Sequence, residues 1–109
     1  MLKAIWYSHS HEIVHRDIKL ENFLMDCSED GNIVIKLTDF GLACTYDPEH
    51  PPTQKCGSLL SAAPELLINK EYCHKVDLWG LGIILHELLS TKLPFYSDDD
   101  RKYKDNIVN

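Results

Sequence analysis

The stretch "KVDLWGLGIILHELLS", Lys75 to Ser90, constrains the fold of this chain more than any other. Its apolar residues run almost all the way round a helix instead of along one stripe. A helix of that kind is expected in the middle of a core, with other elements packed on several of its sides. The chain has 109 residues, which suits one domain or part of one. The other segments are then read as what surrounds that helix.

Residues 2 to 9 can form a short helix with Ile5 and Trp6 turned inward. Val14 to His15 reads as a short strand. Phe23 to Asp26 and Ile33 to Thr38 are strand-like, rich in aliphatic and β-branched residues. Between them lies "CSEDGN", whose Asp30-Gly31 is a hairpin turn signal. From Gly41 to Ala63 the chain is irregular and holds Pro48, Pro51 and Pro52. A loop of that length in a compact domain is usually functional or disordered. "APELLIN" can start a helix with Pro64 in its first turn. In the tail "SDDDRKYKDNIVN" acids precede bases, the order that suits the two ends of a solvated surface helix.

Apolar residues make up 44% and charged residues 26%, as in ordinary soluble globular proteins. The longest apolar run, Leu81 to Leu85, is far too short to span a membrane. The start of the chain lacks the apolar core and cleavage site of a signal peptide. The formal net charge of -6 argues against a nucleic-acid or anionic-membrane surface and for basic partners. Cys27, Cys44, Cys56 and Cys73 form no C-x-x-C pair, so reduced thiols in a cytoplasmic or nuclear protein are expected.

Three metal patterns are present in part. "HEIVH", His11 to His15, fits H-E-x-x-H, which works when both His share a helical face and a third ligand follows. The extended form needs Gly and His where this chain has Ile18 and Glu21, and Ile13-Val14 is a poor helix centre. "DCSEDG", Asp26 to Gly31, opens like a calcium loop, but the position for its bidentate Glu is Leu37. Cys73 and His74 are adjacent and would chelate zinc poorly.

A more specific pattern comes from several elements in order. "HRDIKLEN" spans 15 to 22, "TDFG" 38 to 41, "AAPE" 62 to 65, "DLWGLG" 77 to 82 and "LPF" 93 to 95. In this set the chain resembles the C-terminal lobe of the eukaryotic protein kinase domain, whose signature includes H-R-D, D-F-G and A-P-E. The resemblance implies an α+β fold: a mainly helical lobe with short β-hairpin elements carrying the catalytic loop, 15–22, and the D-F-G turn, 39–41. It also implies an activation segment over 39–65 and a buried helix at about 75–90.

The resemblance implies an ATP-dependent serine/threonine protein kinase that uses Mg²⁺. Phosphoryl transfer needs an oriented acceptor and neutralised phosphates. Asp17 is then the catalytic base, Lys19 lies near the transferred phosphate, and Asn22 and Asp39 hold magnesium. Lys19, two residues after Asp17, is the main sign of Ser/Thr specificity. Leu24 would lie beneath the adenine, and Glu21, beside Asn22, belongs to the nucleotide and substrate side of the loop. His15 and Phe40 resemble residues of an internal hydrophobic spine, and Asp77 the residue that anchors it. Ser58 stands where a Ser or Thr bonds to the base and the Lys. Thr53 is the nearest candidate phosphosite, although Cys44 stands where phosphate-regulated relatives often have a basic residue. Arg16 is the type of residue that pairs with such a phosphate.

Leu20 replaces a frequent Pro, and Ser61 a frequent aromatic that shapes the pocket for the residue after the acceptor. Glu21 and Glu87 match positions that bind a basic residue upstream of the acceptor, so a protein substrate with Arg or Lys there is expected, with neither nucleic acid nor membrane as partner. "ENFL", "CGS" and "AAPELL" look most like the calcium/calmodulin-dependent and AMP-activated-like group. The family's glycine-rich loop, its strand Lys and its last helices have no counterpart in these residues. The expectation is a partial domain, inactive alone for want of half the nucleotide cleft. The alternative is a truncated, non-catalytic kinase-lobe binding module.

Overall fold

In the computed structural model, which describes residues 1–109, the chain runs α1 (Leu2–Ser10), β1 (Ile13–Val14), β2 (Phe23–Cys27), β3 (Ile33–Leu37), β4 (Cys44–Thr45), α2 (Pro64–Leu67), α3 (Lys75–Ser90) and α4 (Asp100–Val108). The strands form two separate antiparallel ribbons. In one, Ile13 faces Thr45 and Val14 faces Cys44. In the other, β2 and β3 pair from Phe23 opposite Leu37 to Cys27 opposite Ile33. Helices and small antiparallel ribbons together make an α+β chain.

The first strand sits one residue earlier than the sequence suggests, because the His15 N–H bonds to the Asp77 carboxylate at 2.8 Å and leaves the ladder. Asp30-Gly31 does turn the hairpin, with Gly31 at φ +76. The loop is longer than a two-residue turn and is closed by Ser28 N–H to Asn32 O and Gly31 N–H to Ser28 O. Asp26 pairs with Lys36 across this ribbon at 2.6 Å. His11 lies exposed in the turn after α1 and His15 is buried beyond β1, so the two do not share a helical face.

The molecule measures 46 × 38 × 18 Å, so it is about two packed layers thick. That thinness limits the core: 20 of the 109 residues are buried. The larger cluster joins Val14, Ala62, Ala63, Leu66, Leu67, Tyr72 and Val76 to Tyr103 and Ile107 of α4. The smaller one holds Ile5, Ile18, Phe23 and Ile84.

Three expectations need correction here. Trp6 faces outward at 68% exposure, since Ile5 and Ser8 fill the inner face of α1 and Trp6 shares the outer one with Leu2. The helix at 75–90 is not surrounded. It buries only the stripe Val76, Asp77, Gly80, Ile83 and Ile84, and leaves Leu78, Leu85, Leu88 and Leu89 exposed. An all-round apolar helix needs more covering layers than these 109 residues supply. Finally, α4 is more than a solvated helix. Asp99 caps it by accepting from the Arg101 and Lys102 N–H groups, while Tyr103 and Ile107, one turn apart, are buried in the large cluster. No helix is long and apolar enough to cross a membrane.

Candidate active site

Non-glycine residues in the left-handed region flank β1, Glu12 at φ 59 before it and Arg16 at φ 68 in the loop after it. Such conformations persist only where surrounding contacts fix them. The Glu12 carbonyl accepts from the Tyr46 N–H at 2.7 Å, and Asp77, at the start of α3 and 1% exposed, supplies the contacts at Arg16. Its Oδ2 accepts from the His15 N–H and its Oδ1 from the Arg16 N–H, both at 2.8 Å. The His9 Nε2 also meets Oδ2 at 2.8 Å. The central helix therefore holds the loop through a single buried carboxylate.

His15 carries the hold onward. Its Nε2 lies 2.9 Å from the Thr38 carbonyl, and its Nδ1 accepts from the Asp17 N–H at 3.3 Å. That pattern requires the proton on Nε2. Its ring meets Phe40 edge-on with centroids 4.8 Å apart. The opposite side of the loop is fixed by Gly80, where a Cβ would come within 2.8 Å of the Ile18 carbonyl oxygen.

With the backbone so fixed, the Asp17 side chain gathers four partners. Oδ1 accepts from the Ser58 N–H at 3.0 Å and from the Ser58 hydroxyl at 2.8 Å. Oδ2 lies 3.1 Å from Lys19 Nζ and accepts from Asn22 Nδ2 at 3.3 Å. Lys19 Nζ donates in turn to the Ser58 hydroxyl at 3.0 Å. Burial alone would push the Asp17 carboxyl up, but the bonds from Ser58 and Lys19 outweigh it and hold its pKa below the ordinary carboxylate range. Asp17 is thus ionised at neutral pH.

Ser58 reaches this point because Gly57, at φ +83, lets the segment lie directly on the loop. A Cβ there would sit 2.3 Å from the Arg16 carbonyl oxygen. Asn22 is buried, and besides its contact with the Asp17 carboxylate its Nδ2 donates to the Asp17 carbonyl at 2.8 Å. The Asn22 carbonyl receives the Thr38 N–H at 2.9 Å, which sets the entry to the D-F-G turn. Asp39 follows in the left-handed region at φ 60, with its exposed carboxylate accepting from the Gly41 N–H at 3.3 Å.

The structure thus brings Asp17, Lys19, Asn22 and Ser58 into direct contact, with Asp39 one residue beyond Thr38. Glu21 and Glu87 line one cleft of about 170 Å³ together with Lys19, Ser58, Ser61 and Leu93. Leu24 is apart from these, exposed on β2 opposite Lys36. Thr53 is exposed in the segment between Pro52 and Gln54. Sequence reasoning missed three participants. His9 meets Asp77 across 68 residues, Tyr72 meets Arg16 across 56, and Gln54 lies beside that pair. No local pattern signals contacts over such separations.

The model of the protein kinase domain matches residues 1–109. Serine/threonine-protein kinase SIK1 of Rattus norvegicus is 47% identical over 87% of the chain, and the match covers 12% of that protein. RAC-beta serine/threonine-protein kinase of Homo sapiens is 42% identical over 99% of the chain and 22% of its own length. The chain thus spans about a fifth or less of the length of these relatives.

Proposed function

This chain belongs to the protein kinase family, and from that premise we propose that it carries the C-terminal-lobe half of a serine/threonine kinase site. The reaction is transfer of the γ-phosphoryl group of Mg-ATP to a protein Ser or Thr hydroxyl. The observation that carries the reading is the Ser58 hydroxyl, which donates to Asp17 while accepting from Lys19. A carboxylate and an ammonium arranged to take a hydroxyl's proton side and oxygen side are what an alcohol acceptor requires.

Asp17 orients the acceptor hydroxyl and takes its proton at Oδ1 or Oδ2. Lys19 stabilises negative charge building next to that oxygen. Asn22 spends its Nδ2 on Asp17, which leaves its Oδ1 free, and Asp39 offers an exposed carboxylate. Two hard oxygen donors fit magnesium, which takes few protein ligands and completes its shell with phosphates and water. When bound, Mg-ATP supplies the phosphoryl group and the cation that neutralises it. Leu24 is assigned to the apolar bed of the adenine. Glu21 and Glu87 are assigned to a basic residue of the substrate, and Thr53 to a phosphosite. Four free thiols support a cytoplasmic or nuclear setting.

A second reading, a docking module without catalysis, is favoured by the exposed Trp6, Leu78, Leu85 and Leu89. Phosphoryl transfer to Ser/Thr peptides separates the two. The full-length protein containing this chain is expected to transfer phosphate and to lose at least about 10³-fold in rate with Asp17→Asn. The 109-residue chain alone is expected to transfer negligibly. A full-length protein without transfer, or one indifferent to Asp17→Asn, would leave the docking reading.

A further inference from the structure

Arg16 is held by three acceptors, and none is part of the Asp17 cluster. Its Nε donates to the Leu42 carbonyl at 2.6 Å, and its Nη1 donates to the Tyr72 phenol at 3.0 Å and the Gln54 side-chain oxygen at 3.4 Å. Tyr72, 4% exposed, then returns to the same segment twice. Its phenol donates to the Gln54 carbonyl at 2.8 Å, and its N–H donates to the Pro52 carbonyl at 3.1 Å. Burial pushes the Tyr72 phenol up against the pull of Arg16, so it stays protonated and able to donate.

The geometry is a clamp with Tyr72 at its centre. One hydroxyl accepts from the catalytic loop and donates to the activation segment. All of its partners are neutral or cationic groups of the chain itself, so closing it takes no anion on the segment. The clamp lies just upstream of Gly57, whose backbone rests on the Arg16 carbonyl, and of Ser58, which bonds Asp17. Fastening Pro52–Gln54 to Arg16 therefore fixes where Ser58 enters the site.

We propose that Tyr72 is a positioning residue, which through its phenol fastens residues 52–54 to Arg16 and so sets Ser58 on Asp17 without a phosphate on Thr53. The proposal rests on the kinase reading for what the segment serves, while the clamp itself is a conformational claim. Hydrogen exchange followed by mass spectrometry on the full-length protein, with Thr53 verified as unmodified, tests it directly. Tyr72→Phe keeps the ring and removes the hydroxyl. It is expected to speed exchange in peptides covering 53–58 about tenfold, while α3 stays within about twofold, because the lost hydrogen bonds are local.

Thr53→Ala is expected to leave 53–58 within about twofold of the parent. In kinetics, Tyr72→Phe is expected to raise the KM for peptide about tenfold and leave that for ATP unchanged. Unaltered exchange at 53–58 in Tyr72→Phe would overturn the proposal. So would acceleration spread evenly through α2 and α3, which marks Tyr72 as core packing only, or an equal rise in the KM for ATP. Loosening by Thr53→Ala as large as that by Tyr72→Phe would hand the role to Thr53. Absence of transfer by the parent protein is a separate result: it refutes the kinase reading and leaves the exchange outcome standing.

Discussion

Asp77→Asn is the sharpest probe of how the fold makes the site, because one atom changes and the shape does not. The carboxylate serves three donors: the His15 N–H and His9 Nε2 at Oδ2, and the Arg16 N–H at Oδ1. An amide can present oxygen to only one side. With oxygen at the Oδ2 position, the NH₂ group faces the Arg16 N–H. With the amide reversed, His9 can accept from it, but the His15 N–H is orphaned. Either way at least one backbone donor of the loop after β1 is left buried without an acceptor.

Losing a hydrogen bond to a charged group and stranding its buried partner costs about 1.5–3 kcal/mol. Asp77→Ala strands both backbone donors and leaves a cavity, so about 3–5 kcal/mol is expected. The left-handed Arg16 would relax once released, and Asp17 next to it would leave Ser58. Denaturant titration of the full-length protein gives the stability loss, and native-state hydrogen exchange at His15 and Arg16 gives its location. The reasoning fails if Asp77→Asn costs under about 0.5 kcal/mol, or if those two amides keep their protection while distant ones lose it.

Gly57→Ala is expected to lose at least about 2 kcal/mol, by adding a left-handed penalty to a collision with the Arg16 carbonyl. Gly31→Ala, equally left-handed but in open space, should cost about 1 kcal/mol in the same titration; similar losses would refute the collision. The pH dependence follows from the lowered pKa of Asp17. A depressed carboxyl contributes stability above its unfolded pKa and loses it as pH falls through the folded value, so this contribution disappears only below the usual carboxylate range. An acid limb between pH 6 and 7 in the transfer rate, moved by changes at Ser58, would contradict that. For substrate choice, Glu21→Gln and Glu87→Gln should each weaken preference for an upstream Arg by roughly 2- to 5-fold in a peptide library, as partly exposed charge pairs do; a parent without any basic preference would refute the assignment.

What could be read from the sequence divides along a physical line. The bounds of α3 follow from local pattern, since the apolar residues of Lys75–Ser90 recur at short spacing with no Pro to break the helix. Its burial does not, because exposure of Leu85 and Leu89 depends on which elements arrive to cover them. Trp6 shows the same thing on α1: two adjacent apolar residues cannot both face one neighbour, and period alone does not choose between them. Contacts such as His9 with Asp77 and Arg16 with Tyr72 join residues far apart in sequence and carry no local signal. The contact of Ser58 with Asp17 follows from the family resemblance, and spacing alone does not give it.

Two of the positions that defy local preference lie at the candidate site. Arg16 and Asp39 are not glycines, yet both take the left-handed region. Each is held there by a polar contact: Arg16 by the buried Asp77, and Asp39 by its own bond to the Gly41 N–H. Arg16 precedes Asp17, the proposed base, and Asp39 is itself the carboxylate proposed for the cation. A residue departs from its local propensity only where the contacts around it outweigh the cost. In this chain that departure falls at Arg16 and Asp39, but also at Glu12, Asn69, Thr91 and Phe95, so a left-handed residue marks the candidate site only where it adjoins the Asp17 cluster or the D-F-G turn.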